Sequence, residues 1–232
     1  MFTNAKGIVL REVKYKDSDK ILTVLTDSVG KLTVSAHGAY RKNSKLTAAT
    51  QLLVFSDMTL MQKKDRWTLT ETQTIEQFIG LRDDLVLLSL GAYLAELTEA
   101  VSDEDSPNAE LLPLCLNALY ALSEKLKTPQ LVKPAFELRL MQLSGFEPVL
   151  RDERTVGEGA LVEDGVLALS EGALGAARYV LSCDAKKLFS FRISDAALKE
   201  LSSKTENYLL THLDRTFRTL DYYKKICLGF AM

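Results

Sequence analysis

The hydrophobic pattern of this 232-residue chain changes its period once, near Arg82, and this change limits the chain to a strand-rich part followed by a helical part. Before Arg82, short runs rich in β-branched residues alternate with turn residues; after it, apolar residues recur about every 3.6 positions. Strands grouped ahead of helices are typical of the α+β class. The sequence therefore predicts an α+β protein, with a β-barrel followed by an α-helical region.

Five runs of strand length lie in the first part. They cover residues 7–11, 20–26, 31–36, 52–61 and 67–70. Residues 27–30 predict a tight hairpin turn in which Gly30 is free to adopt a positive φ, and residues 63–66 predict a polar turn. Five short strands in so few residues favour a small closed barrel, because closure removes the exposed strand edges.

The second part predicts five helices. They cover residues 85–100, 109–126, 129–144, 172–182 and 194–225. Gly145 is suited to the C-terminal cap of the third helix and Ser194 to the N-cap of the last. Residues 150–172 lose the helical period, and residues 160–168 predict a minimal hairpin. We therefore expect a helical bundle interrupted by one small hairpin.

Three features of the sequence indicate the cellular compartment of the protein. The longest apolar run, residues 85–97, is shorter than the roughly 18 residues of a membrane-spanning helix and includes Glu96. The N-terminus lacks the pattern of a secretory signal. Cys115, Cys183 and Cys227 are odd in number and far apart, which favours reduced thiols. We expect a cytoplasmic protein that binds no membrane and buries its three cysteines as small hydrophobes.

Charge is divided unevenly at the same boundary. The whole chain has a net charge of -2, but residues 1–82 hold 13 Lys and Arg against 8 Asp and Glu, whereas residues 83–232 hold 16 against 23. The first part is therefore net +5 and the second net -7. Residues 31–46 contain four cations and no acid, so the positive excess is local.

Residue patterns that would support catalysis are mostly missing. His37 and His212 have no metal-ligand spacing, and neither a serine-hydrolase elbow nor a phosphate-binding loop of an NTPase is present. Residues 157–159 are only a fragment of a dinucleotide fingerprint. The acidic residues 103–105 have two interpretations, a cation or paired-carboxylate site and, favoured here, a solvated linker between helices. We expect no enzymatic activity, cofactor or metal.

The pattern that remains is a basic segment, residues 39–45, which we call the basic hook. Its Arg41, Lys42 and Lys45 can neutralise phosphates, and Tyr40 can stack on an exposed base. The alternative is an ordinary soluble surface loop. Further cations in the same part favour DNA binding, although neighbouring acids weaken the case. The predicted DNA-binding residues are Arg11, Lys14, Lys16, Lys20, Lys31, Tyr40, Arg41, Lys42 and Lys45.

Six short motifs stand in order along the chain, at residues 6–11, 15–21, 26–31, 38–42, 136–140 and 144–148. In their order and spacing they resemble those of the bacterial RecO family of recombination mediators. The resemblance covers most of the chain. It implies an N-terminal five-stranded OB-fold over residues 1–80 and an all-helical C-terminal domain over residues 81–232, with a cysteine-free hairpin region at about 150–172.

The resemblance also implies a function in DNA repair. Family members bind single- and double-stranded DNA and anneal complementary strands, and with RecR they help RecA to replace the single-strand-binding protein SSB. They do so in the bacterial cytoplasm, associated with the nucleoid during repair. Many carry a four-cysteine zinc module, but residues 146–182 of this chain contain no cysteine. We therefore expect no zinc here.

A second site follows from the same resemblance, because the helical domain should bind the SSB C-terminal tail, an acidic peptide that ends in a Phe carboxylate. To bind such a peptide, the domain needs an apolar pocket for the Phe side chain with cations at its rim for the carboxylates. The candidates are Lys133, Phe136, Arg139 and Leu140, of which Lys133, Phe136 and Leu140 fall at i, i+3 and i+7 on one helix face. The alternative is that Phe136 and Leu140 belong to the core and that Arg139 forms a structural ion pair.

Two other classes of function remain open from the sequence. One is a protein-only adaptor of a repair or replication complex, whose OB-like barrel binds a peptide. The other is a nuclease or transferase that uses the acidic residues 103–105.

Overall fold

The computed structural model describes residues 1–155 and 165–229. By its contacts the chain divides into two compact units. The first comprises Met1–Cys115 with the C-terminal segment from Thr219, and the second comprises Leu116–Arg218. The domain boundary expected between residues 80 and 81 stays a prediction.

The first unit contains a closed five-stranded barrel. Its strands are β1 (Phe2–Tyr15), β2 (Asp19–Thr26), β3 (Lys31–Ala36), β4 (Phe55–Lys63) and β5 (Arg66–Glu76). They are arranged in the order β1-β2-β3-β5-β4, and β4 closes the barrel on β1. All neighbours are antiparallel except β3 and β5. The predicted OB-type barrel is confirmed, with β1, β4 and β5 reaching beyond the predicted runs.

Apolar side chains at alternate positions along the strands fill the core of the barrel. Leu22 and Val24 on β2 and Val34 on β3 are buried in its core, as residues at every second position of a half-buried strand should be. The turn between β2 and β3 contains Gly30 at φ +85, so the predicted positive φ is present. The two short helices α1 (Leu46–Ala49) and α2 (Ile79–Arg82) were not predicted.

Six longer helices follow in the described part of the chain. They are α3 (Leu85–Val101), α4 (Leu111–Ser123), α5 (Pro129–Leu143), α6 (Glu171–Ser182), α7 (Asp195–Leu213) and α8 (Arg218–Gly229). The side chain of Ser194 caps α7 by accepting a hydrogen bond from the Ala197 N–H, as predicted. None of the helices in the described part of the chain is long and apolar enough to span a membrane. The predicted helical second part is confirmed.

The single helix predicted over residues 194–225 is wrong, because the structure has two helices there. Asp214 adopts a left-handed conformation at φ 45 and ψ 44, which ends α7. Phe217, in the loop that follows, is almost fully buried. The apolar period continues through Phe217 into α8, so the pattern alone did not show the break.

The predicted hairpin over residues 160–168 lies partly outside the described residues. Its second arm is β7 (Val166–Leu169), which pairs in parallel with β6 (Val149–Asp152). Its first arm and its turn up to residue 164 are not described.

The cysteines occupy two kinds of environment. Cys115 is fully buried, and burial raises the pKa of its thiol to about 12. Cys183 and Cys227 are only half-buried. The expectation that all three are buried is therefore wrong for two of them, because short apolar side chains near helix ends are not fixed inside by the sequence pattern.

Candidate nucleic-acid interface

The nine residues predicted to bind DNA form two groups in the first unit. The first group is Arg11, which forms an ion pair with α3, and Lys31, which donates a hydrogen bond to it. The other seven belong to the end of β1, to the β1–β2 turn and start of β2, or to the basic hook: Lys14, Lys16, Lys20, Tyr40, Arg41, Lys42 and Lys45.

The basic hook follows β3 and has a defined local shape. Gly38 and Asn43 adopt φ values of 69 and 66, and the N–H of Arg41 donates to the carbonyl of Gly38 at 3.0 Å. Ala39 is fully buried in the barrel core, whereas Arg41, Lys42 and Lys45 are exposed. The hook is therefore fixed at its start, and its three cations are available to solvent.

The β1–β2 turn holds the start of the hook. Asp19 Oδ1 accepts a hydrogen bond from the Gly38 N–H at 2.7 Å, and Asp19 Oδ2 lies 2.9 Å from His37 Nδ1. The Ser18 carbonyl accepts a hydrogen bond from the Tyr40 N–H at 2.9 Å. The bond from the Gly38 N–H, followed by His37, lowers the pKa of Asp19 to about 2. This carboxylate is therefore ionised at neutral pH.

Lys20 is buried beneath the hook. Its side chain is 4% exposed, forms an ion pair with Glu12 and donates to the Thr50 carbonyl at 3.1 Å. Glu12 Oε1 accepts a hydrogen bond from the Leu52 N–H at 3.1 Å. Because its ammonium is buried and engaged by Glu12 and Thr50, Lys20 is a weaker candidate for a phosphate contact than the exposed cations. The structure thus places Lys20 in a buried position next to the ring of Tyr40, and not at the surface where DNA binding was predicted.

Tyr40 joins the hook to the cations of the first hairpin. Its ring lies 4.8 Å from Lys20 Nζ and 5.9 Å from Lys14 Nζ, both within reach of a cation–π contact. Lys14 faces Lys20 across the β1–β2 pair, and Lys14 and Lys16 are exposed. Tyr40 itself is 46% exposed. An exposed aromatic ring therefore stands next to exposed cations.

Arg11 and Lys31 are engaged with one residue of α3. Arg11 Nε lies 3.0 Å from Glu99 Oε1, and Lys31 Nζ donates to the Glu99 carbonyl at 3.1 Å. Arg11 also donates to Thr23 Oγ1 at 3.3 Å. Because the Glu99 carboxylate offsets part of the charge of Arg11 and the Glu99 carbonyl engages the ammonium of Lys31, these two residues are weaker candidates than the cations of the hook.

A second basic turn is not among the predicted DNA-binding residues. Lys63, Lys64 and Arg66 at the β4–β5 turn are all exposed. In OB-folds, the β1–β2 and β4–β5 loops are recurrent contacts for oligonucleotides. The sequence alone indicates only a polar turn there. Its basic residues point to a nucleic-acid contact only when the strand order shows that this turn is the β4–β5 loop of an OB-type barrel.

The residues predicted to bind the SSB tail lie on α5 in the second unit. Phe136 and Leu140 are fully buried. Lys133 Nζ lies 2.8 Å from both Glu137 Oε1 and Glu206 Oε2. This placement favours the alternative of a structural role, because these buried side chains offer a peptide little exposed surface.

Arg139 also has an internal role. Its guanidinium donates to the carbonyls of Val180 and Cys183, at the C-terminal end of α6. A cation at this end of a helix satisfies the last carbonyls and interacts favourably with the helix dipole. Tail binding by this residue stays a prediction.

The acidic residues 103–105 are tied to the barrel by backbone contacts. The Asp105 N–H donates to the Lys31 carbonyl at 3.2 Å, and Glu104 forms an isolated bridge with Lys31. Within residues 1–155 and 165–229, no group of three or more His, Cys, Asp or Glu is placed to hold a metal ion. The sequence of residues 146–182 contains no cysteine, so a zinc site with four thiolate ligands does not fit that region.

Comparisons with known proteins cover nearly the whole chain. The family model for the N-terminal part of recombination protein O matches residues 1–78, and the model for its C-terminal part matches residues 82–221. The DNA repair protein RecO of Acetivibrio thermocellus is 31% identical over 97% of both chains. The protein of the same name from Alkaliphilus metalliredigens is 30% identical over 97% of this chain and 100% of its own. The barrel, the helical region and these matches agree, and the chain belongs to the RecO family of DNA repair proteins.

Proposed function

We propose that this chain is a DNA-binding recombination mediator that binds single- and double-stranded DNA through its barrel and anneals complementary strands. One observation supports this proposal most strongly. Five exposed cations, in the hook and at the end of the first hairpin, accompany the exposed Tyr40 on an OB-type barrel. They are Lys14, Lys16, Arg41, Lys42 and Lys45.

Such a surface binds DNA by its backbone. Each Lys or Arg that neutralises a phosphate releases condensed counterions, so the affinity falls with salt and does not depend on base sequence. Single and double strands both present phosphates. Tyr40 adds a face on which an unpaired base can stack, so we expect tighter binding of single strands.

Annealing follows from the same chemistry. Two complementary strands repel each other through their phosphates, and a surface that neutralises part of both charges lowers this barrier. Backbone contacts leave the pairing edges of the bases free. The protein then needs no catalytic residue, and we propose that it is not an enzyme.

The helical region suits protein partners better than DNA. Residues 83–232 have a net charge of -7, which repels polyanions. From the family, we propose RecR and the SSB C-terminal tail as partners, with RecA loaded indirectly onto DNA that SSB had covered. We place this work in the bacterial cytoplasm, at the nucleoid during repair.

The test is a titration of a fluorescent oligonucleotide over a salt series. The hook variant Arg41→Ala, Lys42→Ala, Lys45→Ala removes three exposed cations. Since each single-strand phosphate contact contributes about 0.7 to the log-log salt slope, the slope should fall by about 2. The oligonucleotide should also bind more weakly at every salt concentration.

A matched control removes the same charge elsewhere. Lys186, Lys187 and Arg192 in the second unit are also exposed, and their triple Ala variant should retain most of the slope. Equal losses in the two variants would show that only net charge matters. If the unmodified protein showed no saturable, salt-sensitive binding, the protein-only adaptor would replace the DNA-binding function.

A further inference from the structure

An acidic residue, Asp19, lies between the two groups of exposed cations in the chain, those of the first hairpin and those of the hook. Asp19 begins β2, next to the exposed cations of the hairpin and the hook. A carboxylate at such a place repels phosphates, so electrostatics alone makes it unfavourable for DNA binding. Its contacts indicate a different contribution.

Both oxygens of Asp19 are used to hold the hook. Oδ1 accepts a hydrogen bond from the Gly38 N–H at 2.7 Å, and Oδ2 lies 2.9 Å from His37 Nδ1. The side chain of Asp19 is only 16% exposed, whereas that of His37 is 65% exposed. The carboxylate therefore faces the hook and not the solvent.

The hook needs such support because of its own sequence. Residues 39–45 contain one buried apolar side chain, Ala39, and the chain passes through positive φ values at Gly38 and Asn43. A polar loop without its own core loses conformational entropy when a ligand orders it, and an anchor that orders it beforehand removes this cost.

A second anchor lies beyond the hook. Lys20 donates to the Thr50 carbonyl and Glu12 accepts from the Leu52 N–H, each at 3.1 Å. Asp19, Lys20 and Glu12 all belong to the β1–β2 hairpin. This hairpin therefore holds the segment that contains the hook and α1 at both its start and its end.

We propose that Asp19 is a positioning residue for DNA binding, which holds the basic hook in the shape that presents Arg41, Lys42 and Lys45 to a phosphate backbone. This inference rests on the proposed function. It assigns to an acidic side chain a positive contribution to the binding of a polyanion.

The neighbouring Asp17 provides a matched control. Asp17 lies in the same turn and is exposed, and no residue in the described part of the chain donates a hydrogen bond to its carboxylate. Asp17→Ala and Asp19→Ala each remove one negative charge next to the hook. If charge alone mattered, both variants would bind a single-stranded oligonucleotide more tightly than the unmodified protein.

The proposal predicts opposite effects. Asp17→Ala should tighten binding, whereas Asp19→Ala should weaken it about tenfold, the effect of losing one hydrogen bond to a charged group. Asp19→Asn retains one carbonyl that can accept from the Gly38 N–H, and its affinity should lie between those of Asp19→Ala and the unmodified protein.

Limited trypsin digestion gives a measurement that does not require DNA. Asp19→Ala should speed cleavage after Arg41, Lys42 and Lys45, with no change at Lys186 and Lys187 in the second unit. Faster cleavage at all of these sites would indicate general destabilisation and would overturn the positioning role. The Asp17→Ala variant should be cleaved like the unmodified protein.

The two possible failures differ in the titration. If Asp19→Ala tightens binding as Asp17→Ala does while the unmodified protein still binds, this inference alone is wrong. If the unmodified protein shows no salt-dependent binding, the proposed function is wrong and the inference falls with it.

Discussion

Replacing Lys133 by Met should strongly destabilise the helical region. Lys133 lies between Glu137 and Glu206, with its Nζ 2.8 Å from an oxygen of each. The side chains of Lys133 and Glu137 are 5% and 0% exposed, and that of Glu206 is 12% exposed. The substitution leaves at least one carboxylate buried without the cation that compensates it.

The size of the effect follows from these distances. At 2.8 Å and an effective dielectric constant of about 20, each attraction amounts to about 6 kcal/mol before desolvation is subtracted. Desolvation of the ions cancels much of this gain, so the intact cluster adds little net stability. Removing only the cation should nevertheless cost about 3–5 kcal/mol. This is a large part of a typical folding free energy of about 5–15 kcal/mol.

Chemical denaturation followed by circular dichroism measures this loss. Lys199→Met is the control, because Lys199 is exposed on α7, and its effect should stay within about 0.5 kcal/mol. The double variant Lys133→Met, Glu137→Met should recover more than half of the loss, since it removes both buried charges. If Lys133→Met costs no more than the control, the buried cluster does not exist as described.

The same cluster predicts a pH dependence. Burial lowers the pKa of Lys133, but Glu137 and Glu206 raise it more, and the net direction is upward. The contribution of the charged Lys133 to the free energy of unfolding is therefore complete below the ordinary lysine pKa of about 10.4. It is lost as the pH rises through the higher pKa that Lys133 has in the folded protein. The unmodified protein should lose stability relative to Lys133→Met in this alkaline range.

Three further variants test the barrel. Gly30→Ala should destabilise it by about 1–3 kcal/mol, because Gly30 has φ +85 and an added Cβ would lie 2.5 Å from the Ser106 carbonyl oxygen; an unchanged melting temperature would contradict the described turn. Lys14→Met should reduce the salt slope of single-strand binding by about 0.7, whereas Lys20→Met should lower the melting temperature and leave the slope unchanged. Equal flattening of the slope by both would show that Lys20 does contact a phosphate.

The architecture could be predicted because its signals are local. Alternation in β2 and β3, the turn at Gly30 and the cap at Ser194 each depend on a few neighbouring residues. The break between α7 and α8 could not be predicted in this way. It depends on the left-handed conformation of Asp214 and on the burial of Phe217, and the apolar period continues across both.

The candidate site was predicted in part. The hook and the exposed Lys14 and Lys16 follow from charge and spacing, but Lys20 resembles them in sequence and is buried. Its partners Tyr40 and Thr50 are 20 and 30 residues away in sequence. Asp19 and Gly38 are also distant in the sequence, so the hydrogen bond between them could not be predicted without the three-dimensional arrangement of the strands.

On α5, the i, i+3 and i+7 spacing of Lys133, Phe136 and Leu140 describes one face correctly. The spacing does not say whether that face meets a ligand or the core. In the structure α5 packs against α7, where Lys133 meets Glu206, and Phe136 and Leu140 are buried. A slot for a peptide and a core contact give the same pattern along one helix.

DNA annealing by the hook is tested by the rate at which two complementary labelled strands anneal, measured at one moderate salt concentration with and without the protein. We expect the unmodified protein to accelerate annealing and the variant Arg41→Ala, Lys42→Ala, Lys45→Ala to lose most of this acceleration. The matched variant in Lys186, Lys187 and Arg192 should keep it. If the hook variant annealed the strands as fast as the unmodified protein, the hook would not be the surface that brings them together.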